Sequence, residues 1–315
     1  MSTYALRRIW QLVPVLFIVS IAVFSIIHLI PGDPAQIIAG PNATDAQLAA
    51  LRQRFGLDQP LWTQYFMWLR NVLSGDLGNS YTNNYPIAAL IGQRIPATVE
   101  LAFAALLIGV LISFPLGIWA AVRPGSFADL LATFFSAVGA AVPAYYLLIL
   151  LIMVFSVQWP LLPPSGRPDF GEDPGLHLRS LLMPAITLGL GVAAALVRYL
   201  RTSLLEVMNQ DYLRVAKSKG IHARLVLVRH ALPNALIPVI TILGLQLGEL
   251  LSGAIIIESI YAWPGVGRLT IQAIERRDYL LLQANVLFIV LVFLVVNLIT
   301  DLAYGWIDPR IRHSA

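Results

Sequence analysis

The chain is 315 residues long, 58% hydrophobic and only 12% charged, with a mean hydropathy of +0.75. Soluble domains carry about 25% charged residues, so this composition excludes an ordinary soluble globule. The net charge of +4 would suit a nucleic-acid binder, but the basic residues sit beside apolar runs, and membrane topology accounts for them without nucleic acid. Cysteine is absent, which excludes disulfides, thiolate metal sites and cysteine nucleophiles.

The first apolar run, near residues 9–30, follows Arg7 and Arg8. It is longer than a signal-peptide core and ends in Pro31-Gly-Asp-Pro34 rather than in small residues, so it is read as a retained span. Further runs lie near 97–122, 128–157, 181–200, 236–257 and 283–304. Each is long enough to cross about 30 Å of hydrocarbon. Continuous apolarity fits helices rather than the alternating strands of a barrel. The expected fold class is all-α, a polytopic membrane protein with six transmembrane helices. Its parts are an N-terminal helix at 1–30, an extracytoplasmic segment at 31–96 with short amphipathic helices, and a core at 97–315 that carries a cytoplasmic loop at 201–235.

Within 31–96, Thr44 with Gln47 forms a capping-box signature ahead of Leu48, Leu51 and Phe55. Leu61, Trp62, Tyr65, Phe66, Trp68, Leu69, Val72 and Leu73 then give an aromatic apolar face at helical spacing. That face suits the outer membrane interface or contact with a docking protein. Pro115, Pro143, Pro184 and Pro238 lie inside the spans and are expected to loosen or bend them. With the N-terminus inside, Lys and Arg are denser in the inner segments than in the outer ones, and both termini are cytoplasmic, consistent with Arg310 and Arg312.

The longest inner segment, Arg198 to Ala235, holds Arg198, Arg201, Arg214, Lys217, Lys219, Arg224 and Arg229 against Glu206 and Asp211. Helical periodicity through Tyr212, Leu213, Val215 and Ala216 breaks at Gly220 and resumes through Leu225, Val226, Val228 and Leu232. The pattern predicts a helix–glycine turn–helix projection, with Ala216 and Gly220 on one small-residue face open to close approach. Its basic flanks fit either a protein-docking loop or a surface helix on anionic lipid.

Tyr212-Leu-Arg-Val-Ala-Lys-Ser-Lys-Gly220, with Leu232-Pro233 beyond it, resembles the EAA loop of binding-protein-dependent ABC transporter permeases. Arg214, Val215 and His230 depart from that loop's usual glutamate, alanine and isoleucine. The dipeptide/oligopeptide/nickel branch is resembled in Pro31-Gly-Asp-Pro34, Gly56-Leu-Asp-Gln-Pro60, Gly75-Asp-Leu-Gly78, Arg94-Ile-Pro-Ala-Thr-Val-Glu100, His230-Ala-Leu-Pro-Asn-Ala235, Trp263-Pro-Gly-Val-Gly267 and Asp308-Pro-Arg-Ile-Arg312. This resemblance covers nearly the whole chain. It implies a type I importer permease in the bacterial inner membrane, paired with a second, homologous permease. It also implies two cytoplasmic ABC ATPases that bind ATP and Mg, and an extracytoplasmic binding protein that selects the substrate. The residues Tyr212, Leu213, Arg214, Val215, Ala216, Lys217, Ser218, Lys219 and Gly220 would then form the ATPase-coupling helix.

The chain has no phosphate-binding loop of its own, and its five histidines form no His-Glu-x-x-His pair. A permease without its own ATPase site or cofactor is therefore expected. An ion-gradient-driven secondary transporter is the rival reading, since Glu100, Glu249, Glu258 and Asp301 lie in or near spans. Glu249, Gln246 and Ser252 are candidates for the translocation path. Trp263, Arg268, Arg276 and Arg277 are candidates for an outer face that docks a binding protein. Substrate remains open among dipeptides, longer peptides, glutathione and nickel chelates.

Overall fold

In a computed structural model, residues 2–29, 35–36 and 43–307 are described. The Pro31–Pro34 and Asp308–Arg312 motifs, with Arg310 and Arg312, and the side chain of Ser252 lie outside that description. Helix α1 (Ser2–Leu29) is apolar all round and leaves Trp10, Phe17 and Ile18 exposed, as a lipid-facing helix does. Helix α2 (Asp45–Phe55) starts at the expected capping box. Thr44 Oγ1 accepts the Gln47 N–H at 3.4 Å, and Gln47 Oε1 accepts the Thr44 N–H at 3.0 Å. Helix α3 (Leu61–Leu73) packs on α1 through buried Tyr65, whose hydroxyl is 2.7 Å from Ser20 Oγ.

Helix α4 (Ile87–Val122) leads through a short turn to α5 (Phe127–Ala141), where the Ser126 side chain accepts the Asp129 N–H. Helix α6 (Ala144–Ile152) ends in a π-helical turn, Met153–Gln158. Asp173 caps α7 (Pro174–Met208), accepting the Leu176 N–H at 2.9 Å with Pro174 in the first turn. The short α8 (Asp211–Ser218) and α9 (Ala223–Leu225) flank Gly220, and a π turn, Val226–Ala231, leads into α10 (Leu232–Gly253). Helices α11 (Ile255–Ile260), α12 (Val266–Glu275) and α13 (Tyr279–Ile307) complete the described chain.

Among the described residues, five helical stretches are long and apolar enough to cross a membrane, and α5 with α6 makes a sixth when the bent pair is taken as one span. The 128–157 run, in which Pro143 was expected to loosen or bend the helix, is broken there, and its two halves meet at 96°. Val142 adopts an extended backbone (φ −84°, ψ 120°) ahead of Pro143, because the proline ring disfavours helical geometry in the residue before it. The helices also overrun the apolar runs. α4 begins at Ile87 rather than near 97, and so crosses the expected boundary between the 31–96 segment and the core. Apolarity marks only the part at lipid depth.

Helix α7 is central: 61% of its most apolar stretch is buried, against 6% in peripheral α13. It packs most extensively with α4, where a Cβ on Gly109 would come within 2.6 Å of Val192, and one on Gly189 within 2.8 Å of the Ala105 carbonyl. Small residues that let backbones meet are what membrane helix packing uses in place of a hydrophobic driving force.

Candidate functional site

At one end of the bundle, α8 lies across the mouth of α4, α7 and α10. Leu213 is fully buried in a cluster with Ala121, Leu204, Val226, Ala231 and Ala235, and Ala216 and Ile221 pack against that cluster. Leu213 and Ala216 are three apart and share the inward face. Ala216 was expected on an outward contact face; it belongs instead to the anchor. The outward face carries Tyr212 (46% exposed) and Val215 (51% exposed), with Arg214, Lys217, Ser218 and Lys219 around them.

Gly220 terminates α8 with φ +77°. Its N–H donates to the Lys217 carbonyl at 3.0 Å and the Ile221 N–H to the Ala216 carbonyl at 3.4 Å, a Schellman ending in which glycine supplies the left-handed residue. The projection is tied to the spans by polar contacts. The Asn234 amide donates to Tyr212 Oη at 3.0 Å and to the His230 carbonyl at 2.9 Å. Ser203 Oγ donates to the Ala235 carbonyl at 2.9 Å, joining α7 to α10. Arg201 on α7 pairs with largely buried Asp129 on α5, which also accepts the Gly125 N–H at 2.9 Å.

Between α5, α6, α7 and α10 lies a cleft of about 390 Å³ whose lining includes Gln246 and Glu249 together with Arg198. Gln246 Nε2 donates to Glu249 Oε2 at 3.0 Å, and the Glu249 side chain is exposed to the cleft. Ala140, Ala144, Gly191 and Ala195 keep the walls thin, and the Ser136 hydroxyl is left without a partner. The arrangement offers an anionic handle at mid-span and a cationic one toward the α8 end. Sequence reasoning had grouped Arg198 with the loop, because only the helix geometry turns it toward Glu249's cleft.

The opposite end is locked by buried polar groups. Thr98 Oγ1 donates to Glu258 Oε1 at 2.8 Å and accepts the Val266 N–H at 2.9 Å, while Glu258 Oε2 accepts the Arg268 N–H at 3.0 Å. Glu258 thus caps α12 from another helix, an anion at a helix N-terminus. Gly265 and Gly267 are required by that approach, since a Cβ on Gly265 would strike the carboxylate and one on Gly267 would come within 2.6 Å of Ile255 Cα. Trp263, expected on an outer docking face, is fully buried and donates its indole N–H to the Ala97 carbonyl at 2.8 Å. It is a packing residue with no surface to offer a partner. Arg268 turns its guanidinium back onto the Ala262 carbonyl at 2.7 Å, whereas Arg276 and Arg277 are exposed beside Ile274.

Nearby, Glu100 is shared by Arg167, at 2.7 Å, and by buried His177. Partners 67 and 77 residues away carry no local signal, so the sequence named no partner for Glu100. Tyr261 donates its hydroxyl to the Pro163 carbonyl at 2.8 Å, and burial pushes its phenol up to about 12. Asp301 pairs with Arg8 at 3.2 Å. Glu100, Glu249, Glu258 and Asp301 therefore each have their own partner.

This geometry defines a class: the membrane-spanning subunit of a transporter, with a polar cleft between its helices and a rigid projection at one end. The chain belongs to the family of binding-protein-dependent transport system inner membrane components, whose model matches residues 113–313; the family's N-terminal model matches residues 1–102. It is 40% identical over 314 residues to the glutathione transport system permease protein GsiC of Escherichia coli O6:H1, covering all of both chains. It is also 40% identical to the dipeptide transport system permease protein DppB of Alkalihalophilus pseudofirmus, covering 99% of this chain and all of that one. Among solved structures, inward-facing forms of the MetNI methionine ABC transporter match its fold with a TM-score of 0.55 at 16% identity, over 70% of this chain and 96% of that one.

Proposed function

We propose that the chain is a pore-forming permease subunit of an ATP-driven importer for peptides or glutathione, working by alternating access. Its partners are a second, related permease, two cytoplasmic ATPases that hold ATP and Mg, and an extracytoplasmic binding protein. The α8 end and both termini face the cytoplasm. The observation that carries the reading is the two-faced α8: Leu213 and Ala216 fix it to the spans, and Tyr212 and Val215 present an exposed apolar contact beneath them. An anchored helix of this kind transmits movement of a docked ATPase to α7 and α10 as a lever.

The cleft supplies one wall of the passage, where Glu249 and Gln246 would meet the ammonium of a peptide and Arg198 its carboxylate. Exposed Arg276 and Arg277 suit the docking of an acidic face on the binding protein. Because the chain has no cysteine, Val215→Cys introduces a unique thiol. In the assembled complex it is expected to crosslink to an ATPase subunit, with a yield that changes between nucleotide-free and ATP-bound states. Absence of any such crosslink throughout the cycle removes the proposal.

A further inference from the structure

Helix α3 meets α1 inside the stretch of α1 that is long and apolar enough to cross the membrane, Leu6–His28. The His28 end of that stretch lies opposite α8. Val23 accepts the Gln283 amide near the start of α13, the start of α13 packs with the start of α4, and the other end of α4 meets α8. Gln64 Oε1 is 3.2 Å from His28 Nε2, and the rings of Trp68 and Tyr65 rest on Phe24 with centroids 5.8 and 5.4 Å apart. The Tyr65 hydroxyl reaches further, to Ser20 at 2.7 Å. At 1.5 Å per residue, Ser20 stands about 12 Å inside His28 along the helix axis. These contacts cluster on Gln64, Tyr65 and Trp68, little more than one turn, so α3 crosses α1 at lipid depth instead of running beside it.

The second observation is the face that α3 leaves uncovered. Trp62, Phe66 and Leu73 share one side of the helix and are 68%, 61% and 79% exposed, while polar Gln64 and Asn71 lie on the opposite side. The uncovered side continues a surface already assigned to lipid: Phe17 of α1 is exposed and stands edge-on to Tyr65 with ring centroids 6.5 Å apart. Helices with Trp, Phe and Leu on one face and polar groups on the other lie in the boundary between headgroups and acyl chains. We propose that α3 is an interfacial helix moored in the leaflet opposite α8, with Trp62, Phe66 and Leu73 set into that boundary and phospholipid as the partner that covers them. The inference rests on α1 being a span. It holds whether or not ATP drives the transporter.

Because the chain has no cysteine, Phe66→Cys, Leu73→Cys and Asn71→Cys each carry a single nitroxide label. All three positions are exposed, so the variants are expected to fold. The full-length chain, with the subunits that copurify with it, is reconstituted in vesicles of phosphatidylethanolamine and phosphatidylglycerol. Power saturation with oxygen and with a water-soluble nickel chelate then gives the depth of each label. Labels at 66 and 73 are expected about 5–10 Å below the lipid phosphates, open to oxygen and closed to the chelate, and the label at 71 at or above the phosphates. Equal access of the chelate to all three positions puts the face in water and overturns the proposal. Labels at 66 and 73 that are shielded from both reagents, at the outset or once a water-soluble protein is added, give the face to a protein partner and overturn it equally.

Discussion

Gly220 holds a left-handed backbone with nothing within 4 Å of where a Cβ would sit. The constraint there is torsional, not spatial. A residue other than glycine or asparagine pays about 1–2 kcal/mol for that conformation, enough to unwind the last turn of an eight-residue helix. Gly220→Val is therefore expected to abolish transport-coupled ATPase stimulation while membrane insertion persists. Gly220→Asn, which tolerates left-handed geometry, is expected to retain most of it. Equal loss in both variants would point to surface contact rather than backbone shape. The sequence marked this glycine as a break, but not which way the helix face beside it turned, because Leu213 and Ala216 find their neighbours on three other helices.

Two tyrosines outside the spans give a pH signature. Burial, and then the Asp278 carboxylate, push the Tyr81 phenol up to about 12, and burial does the same for Tyr261. Unfolded tyrosine titrates near pH 10, so the folded state favours the protonated phenol more than the unfolded state does. That contribution is fully present below about pH 10 and is lost as pH rises toward 12. Unfolding midpoints followed across this range should fall in the wild type and fall less steeply in Tyr81→Phe.

At the scale of elements, helix existence was legible and helix extent was not. Apolar runs exposed the spans, but α4 and α7 continue past the apolar limit into polar ends that are held by contacts distant in sequence, such as Arg201 with Asp129. Pro143 was visible as a proline in a span; the 96° turn depends on Val142 having an extended alternative to helix. The Trp263-Pro-Gly-Val-Gly267 motif was legible as a pattern and opaque as a mechanism, since its glycines answer to Glu258 on the preceding helix. Glu258→Ala leaves Thr98 Oγ1 and the Arg268 N–H facing a buried vacancy and is expected to cost about 1–3 kcal/mol, read as a lowered denaturation midpoint of the purified protein. Gly265→Ala should shift the midpoint in the same direction by forcing the carboxylate away. A surface role for this motif would leave the midpoint unchanged.

For the molecule as a whole, the energy source separates the importer from its rival. A gradient-driven carrier needs ionisable groups that exchange partners along a path. Here Glu100 is held by Arg167 and His177, Glu258 by Thr98 and the start of α12, and Asp301 by Arg8, while Glu249 lines the cleft between the spans, bonded to Gln246. A single carboxylate can recognise cargo but cannot hand a proton onward. In the proposed importer, outside work enters through α8, whose anchor reaches α4, α7 and α10 together. Proteoliposomes containing the assembled complex should therefore take up substrate with ATP when the proton gradient is collapsed by an uncoupler, and should take up none with a gradient and no ATP. Glu249→Gln is expected to lower the transport rate without lowering basal ATP hydrolysis, because it acts on cargo in the cleft and not on the lever. Uptake sustained by the gradient in the absence of ATPase subunits would transfer the assignment to the secondary transporters and leave α8 without a task.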